Sequence, residues 1–134
     1  MIVKQISVFL ENKPGQLLDV VNILADNKID MRALSVAEAM EYGVMRAIVD
    51  KPEETEKILR EQNWICSTTD VLAVTVPDTP GSLSRLLTVL ADHGISLAYS
   101  YAFLARQAGN ACIVLRVDDN AAAQKLLLDA GIEC

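Results

Sequence analysis

Two short stretches hold the residues best suited to chemistry: Asn12-Lys13-Pro14-Gly15-Gln16-Leu17 and Asp78-Thr79-Pro80-Gly81-Ser82-Leu83. In each, a proline presets φ and is tolerated in the first turn of a helix. The glycine after it lets another group approach the backbone closely. The amides of Gln16 and Leu17, and those of Ser82 and Leu83, would then stand at the positive end of a helix. Such an end suits a carboxylate. A plain strand-to-helix connection needs the same residues, so the turn by itself leaves both readings open.

The stretches recur because the chain repeats. An offset of 66 residues aligns 14–31 with 80–97 and gives seven identities in 18 positions, among them Pro14/Pro80, Gly15/Gly81, Leu24/Leu90 and Ile29/Ile95. The offset becomes 68 by Asp50/Asp118 and Lys57/Lys125, an even insertion that keeps the two faces of a strand in place. This is an internal duplication. Each copy opens with a short Val/Ile-rich run, "IVKQISVFL" or "DVLAVTV", of the kind found in strands. A helix follows the turn, with Leu17, Val20, Val21 and Leu24 on one face in the first copy and Leu83, Leu86, Leu87 and Leu90 in the second. Two further strands come next, turning near Gly43 and Gly109. A second helix begins at Pro52, with acids in its first turn, and its counterpart begins near Asp119 or Asn120. "WICSTT" reads as the last strand of copy one, whereas copy two has only "IEC", so its last strand is expected to be short or supplied from elsewhere.

The order is β-α-β-β-α-β twice over. That predicts an α+β protein of two ferredoxin-like units, residues 1–69 and 70–134, each an antiparallel sheet with helices on one face. Units this small bury little surface alone and are expected to pack together.

Composition narrows the function. With 51% apolar residues and 22% charged, the 134-residue chain reads as globular. No run approaches the roughly 20 apolar residues of a membrane span, and the first residues lack the pattern of a secretory signal. A cytoplasmic location with no membrane partner is expected. Residues 1–69 carry 8 basic and 11 acidic groups and residues 70–134 carry 4 and 7, so neither copy has the basic stripe nucleic acid demands. Cys66, Cys112 and Cys134 form no CxxC or CxxH pair, which argues against a zinc site or disulfide framework. One histidine, His93, and scattered thiols assemble no nucleophile–base pair; neither catalysis nor a cofactor is expected. Tyr99 and Tyr101, at i and i+2, share a strand face and suit packing or stacking on a ligand.

"ENKPGQL" followed by "ADNKIDM", repeated as "PDTPGSL" and "ADHGISL", resembles the opening of an ACT domain, and the resemblance spans the chain as two such units. It implies a non-catalytic regulatory module that binds an amino acid or related metabolite beside the strand–helix turns. Pairing as a homodimer, or in a complex with a metabolic enzyme, is also implied. The implied ligand residues are Asn12, Pro14, Gly15, Gln16, Leu17 and Asp30 in copy one. Copy two contributes Asp78, Gly81, Ser82, Leu83 and Ser96. Leu10 and Asp30 depart from the serine-binding form of the domain, where a histidine and an amide stand. Asn12 and Asp30 against Asp78 and Ser96 make the two sites chemically unequal. The alternative is an accessory interaction subunit with no ligand of its own.

Overall fold

The computed structural model describes residues 1–105 and 107–134. Its elements run β1 (Ile2–Glu11), α1 (Gln16–Asp26), β2 (Met31–Ala39), β3 (Tyr42–Val49), α2 (Pro52–Glu61), β4 (Cys66–Pro77), α3 (Ser82–Asp92), β5 (Tyr99–Ala102), β6 (Asn110–Arg116) and α4 (Asn120–Asp129). They form two compact units, Lys4–Thr69 and Asp70–Cys134, the latter taking in Met1–Val3. The division falls inside β4, whose first residues end one unit and whose remainder opens the next.

In the first unit the strand order is β2-β3-β1, with antiparallel pairs Val8↔Met45 and Ile6↔Ala47 between β1 and β3. Alternation places Ile6, Val8 and Leu10 on the buried side, where they join Met45 and Ala47 in one core with Val20 and Leu24 of α1 and Leu59 of α2. Phe9, on the opposite face of β1, is 43% exposed. The second unit repeats this as β4-β6-β5. There Leu72, Val74 and Val76 alternate inward onto Leu86 and Leu90 of α3 and Ala123 and Leu127 of α4. The helical stripe is narrower than its periodicity suggests. Val20 and Leu24 are buried, as are Leu86 and Leu90, but Leu17 and Leu83 in the first turns are 36% and 46% exposed.

The last strand of the second unit is short. Thr75 N–H donates to Glu133 O at 2.9 Å in a single antiparallel bridge. Two residues earlier on β4, Ala73 N–H donates to Met1 O at 2.8 Å and the Met1 amino group donates back to Ala73 O at 3.0 Å. Glu133 and Met1 thus take successive pairings along β4.

Hydrogen bonds carry the duplication past the residues that sequence identity links. Phe9 N–H donates to Ile65 O as Thr75 N–H does to Glu133 O. Trp64 N–H bonds Leu59 O at 3.0 Å, and Ile132 N–H bonds Leu127 O at 2.9 Å. The Cys66 thiol points at Glu56 O and the Cys134 thiol at Gln124 O, again 68 positions on. Burial pushes these thiols, and that of Cys112, above the ordinary cysteine value, so all three free thiols stay protonated near neutrality. His93 ends α3 with Nδ1 2.8 Å from Val89 O, as Asn27 Nδ2 ends α1 by donating to Ile23 O at 2.8 Å. The only histidine thus serves a helix end.

One ion-pair cluster makes stability pH-dependent. The Glu56 carboxylate accepts from Thr68 Oγ1 at 2.7 Å and from the Arg60 guanidinium at 2.7 Å. The Thr68 hydrogen bond, then that of Arg60, hold its pKa below the usual carboxylate value. A carboxyl group whose folded pKa is depressed contributes stability above its unfolded pKa and loses it as pH falls through the folded one. Glu56→Gln is expected to reduce stability near neutrality and to shrink the further loss between about pH 6 and about pH 3. Urea unfolding at both pH values checks this; an unchanged pH slope in the variant would show that other carboxylates carry it.

Candidate functional site at the strand–helix turns

The two turns are built alike. Lys13 N–H donates to Glu11 O at 2.8 Å and Thr79 N–H donates to Pro77 O at 2.9 Å, a tight reversal immediately after each strand. Gly15 (φ 85°) and Gly81 (φ 93°) then take the left-handed conformation that a side chain resists. No side chain caps α1 or α3 at these glycines. A β-carbon added at either glycine would meet nothing within 4 Å. The glycines are therefore required by backbone conformation, and the space beside them is open.

A cleft lies near each turn, lined in part by equivalent residues; Gly81 lines that of the second unit, but Gly15 does not line that of the first. In the first unit it has a volume of about 240 Å³, with Leu10, Asn12, Gln16 and Asn63 among its lining residues. Phe9, Tyr42, Trp64 and Ile65 give it an aromatic and aliphatic wall, and the Phe9 and Tyr42 rings lie 5.2 Å apart. In the second unit the corresponding positions are Val76, Ser82, Gly131, Ile132 and Glu133, joined by Thr75, Pro80, Gly81, Arg85 and Asn110, around about 470 Å³. Arg85 on the first turn of α3 donates through its guanidinium to Ala130 O at 2.7 Å, which steadies it against the end of α4. The aligned residue of α1 is Asp19, so the charge is reversed between the copies.

The first unit has a second, shallower depression of about 520 Å³ beside the same turn. Here Asn12, Gly15, Gln16 and Leu17 gather with Lys13, Leu18, Val36, Glu38 and Tyr42. Gln16 Oε1 accepts from Glu11 N–H at 3.2 Å, and Lys13 pairs with Glu11 at 2.9 Å in an exposed contact worth about 0–1 kcal/mol.

Not every candidate residue reaches these clefts. Asp30 follows the far end of α1, and the 11-residue helix puts it about 16 Å along the axis from Gly15. There Asp30 N–H donates to Asp50 Oδ1 at 2.9 Å, and its carboxylate is 3.9 Å from Arg32 Nε. Ser96 likewise lies past the end of α3, in a separate hollow with Gly94, Asp118 and Asp119. Asp78 N–H donates to Gly109 O at 3.0 Å and ties the turn to the β5–β6 hairpin. Neither Asp78 nor Leu83 lines the second cleft, nor does Pro14 line either cleft of the first unit. The Tyr99 and Tyr101 rings stack on one another at 6.4 Å. Among the described residues no group of His, Cys, Asp and Glu side chains is arranged to hold a metal ion. No described helix is long and apolar enough to cross a membrane.

Arg85, Asn110, Ile132 and Glu133 escaped the reading of the sequence, as did Phe9, Tyr42, Asn63, Trp64 and Ile65. A signal for some existed. The 68-residue offset, carried to the chain end, pairs Trp64 with Ile132 and Ile65 with Glu133, while the 66-residue offset pairs Asp19 with Arg85.

The family model for an ACT domain pair matches residues 1–133. The chain belongs to the ACT domain pair family. Protein BT0572 from Bacteroides thetaiotaomicron is similar to this ACT pair at 32% identity and a TM-score of 0.92, covering 99% of this chain and 91% of that one. The ligand-free regulatory subunit of aspartate kinase from Thermus thermophilus shares the fold at 16% identity and a TM-score of 0.69, covering 95% and 91%. The corresponding subunit from Thermus flavus does so at 16% identity and a TM-score of 0.59, covering 96% and 92%. No curated protein matches the ACT pair.

Proposed function

We propose that this ACT pair is a non-catalytic regulatory module that binds an amino acid or related small metabolite at the clefts beside its strand–helix turns. The observation that carries the reading is the repeated turn itself: a left-handed glycine that opens a helix with no side-chain cap and lines a surface hollow, Gly15 the shallow depression of the first unit and Gly81 the cleft of the second. Backbone amides at such a helix start favour an anionic group. A free amino acid supplies a carboxylate of suitable size. Binding would act on a partner enzyme or on the oligomer the chain forms; aspartate kinase regulatory subunits of the same fold are one precedent for partnership with an enzyme.

Thermal unfolding in the presence of each proteinogenic amino acid tests the proposal. A ligand present at 100 times its dissociation constant stabilises by about 2.7 kcal/mol. At least one amino acid is expected to raise the midpoint in a concentration-dependent way. A flat panel would favour the second reading, an accessory subunit that acts by contact alone. The exposed apolar residues Leu17, Leu18, Val36 and Tyr42 around the depression of the first unit speak for that alternative.

A further inference from the structure

Among the described residues, β2 (Met31–Ala39) ends the strand order of the first unit and pairs with β3 alone. A strand in that position presents a row of backbone N–H and C=O groups along its outer side. Such edges are commonly blunted by proline, lysine, a short length or a bulge. β2 has nine residues, no proline and no lysine, and its bulge lies at the start, between Met31 and Ala33. From Ala33 to Ala39 its register against β3 is unbroken. The edge strand of the second unit, β5, has only four residues.

The side chains of β2 are complementary to their own reverse. A strand that pairs antiparallel with a copy of itself does so about a two-fold axis normal to the sheet. That axis keeps each face on its own side and centres the register on a residue. Centred on Ser35, Arg32 meets Glu38 of the second copy, and Glu38 meets Arg32 of the second copy. These are the only charged residues of the strand, and both are exposed. Arg32 Nε lies 3.9 Å from the Asp30 carboxylate, too far for a hydrogen bond, and a guanidinium has five donors to offer a second carboxylate. In the same register Leu34 meets Val36, and Ala33 meets Ala37. Leu34 and Val36 stand opposite Ala47 and Met45 of β3, so both lie on the core side of the sheet. Moving the centre to Leu34 sets Glu38 against Asp30, and moving it to Val36 sets Glu38 against Leu34. Opposite charges facing each other stabilise a strand pair and like charges destabilise it, so charge selects Ser35 as the centre. The surface beside the edge is apolar. Val36 is 47% exposed and Leu18 of α1 is 61% exposed, and both line the depression of about 520 Å³.

We propose that β2 is a self-recognition edge. Two copies of the chain pair antiparallel through it, centred on Ser35, with reciprocal Arg32–Glu38 ion pairs and with Val36 covered by Leu34 of the second copy. This pairing stands apart from the ligand-binding reading and holds whether or not a metabolite binds.

Sedimentation velocity of the full chain over a micromolar to millimolar series tests it, and a reversible dimer is expected. Arg32→Glu and Glu38→Arg each turn both cross-strand attractions into repulsions and are expected to raise the dimer dissociation constant by about tenfold or more. An equimolar mixture of the two variants again sets opposite charges face to face and is expected to recover the dimer as a mixed pair. Val36→Lys, which sets an ammonium group against Leu34, is expected to abolish it. All three positions are exposed, so the thermal midpoint of the dilute chain is expected to stay unchanged in each variant. Opposed residues of an antiparallel pair have Cα atoms about 4.5–5.5 Å apart, within disulfide range. Ser35→Cys is therefore expected to cross-link to itself under mild oxidation, above the level of the natural chain. Ala39→Cys is not, since its two copies would lie about 27 Å apart along the strands. A monomer throughout the series would overturn the proposal and leave the edge to a strand of another protein. A dimer indifferent to Val36→Lys, a mixture that stays monomeric, or cross-linking through Ala39→Cys would overturn it in favour of another face or register.

Discussion

Leu86→Ala is expected to lower the unfolding free energy by about 3 kcal/mol, whereas Leu83→Ala, one turn earlier on the same helix, changes it by about 0.5 kcal/mol or less. Leu86 is fully buried, in a core with Leu72, Val74, Leu90, Leu115 and Leu127. Removing three of its side-chain carbons forfeits their transfer free energy and leaves a cavity that neighbours fill only in part. Leu83 is 46% exposed, so its truncation removes little buried surface. Both belong to the stripe Leu83-Leu86-Leu87-Leu90, and periodicity does not distinguish them. Urea unfolding of the two variants, monitored by circular dichroism, separates them. Equal losses would mean that the first turn of α3 is covered in solution, as by a second copy of the chain.

Gly81→Val is the second large effect, a loss of about 2 kcal/mol, with Gly15→Val behaving alike. The glycines hold φ at 93° and 85°, where a β-branched residue is strongly disfavoured. An added β-carbon at either would meet nothing within 4 Å, so the loss is expected to come mainly from backbone strain. Gly81→Asn is expected to cost about half as much, since asparagine visits the left-handed region more readily. The chain already tolerates such residues elsewhere. Lys28 and Asn63 sit at φ 56° and 65° where the second copy has Gly94 and Gly131. If valine and asparagine prove equally harmless, the helix entry relaxes out of its left-handed turn and the clefts lose the rigid edge on which the proposed site depends.

Much of the fold was legible because it is local. The strand–turn–helix order follows from periods of two and 3.6, from Pro52 at the first position of α2 and from the proline and glycine of each turn. Duplication strengthened every assignment by stating it twice. The weakest stretch was the last strand of copy two, where only Ile132, Glu133 and Cys134 remain. Three residues carry no periodicity, and the pairing of Ala73 with Met1, 72 positions away, leaves no trace in local pattern.

Candidate site residues divided along the same line. Asn12, Gly15, Gln16 and Leu17, and likewise Gly81 and Ser82, are near neighbours in the chain and around their hollows, whereas Pro14, Asp78 and Leu83, equally close in the chain, line none of them. Asp30 and Ser96 are implied only by the resemblance to an ACT domain, and α1 and α3 carry them away from the turns.

The sequence by itself determined the duplicated βαββαβ order, the ACT family and the position of both turns, since these rest on contacts between residues close in the chain and on a motif written twice. Only the tertiary structure decided which side chains face those turns. Arg85 comes from α3, Asn110 from the start of β6 and Glu133 from the last strand, and they meet because the strands pair across long separations. Burial decided the rest: Leu86 packs into the core with Leu72, Val74 and Leu115 while Leu83 stays at the surface, a distinction that hydrophobicity alone does not encode.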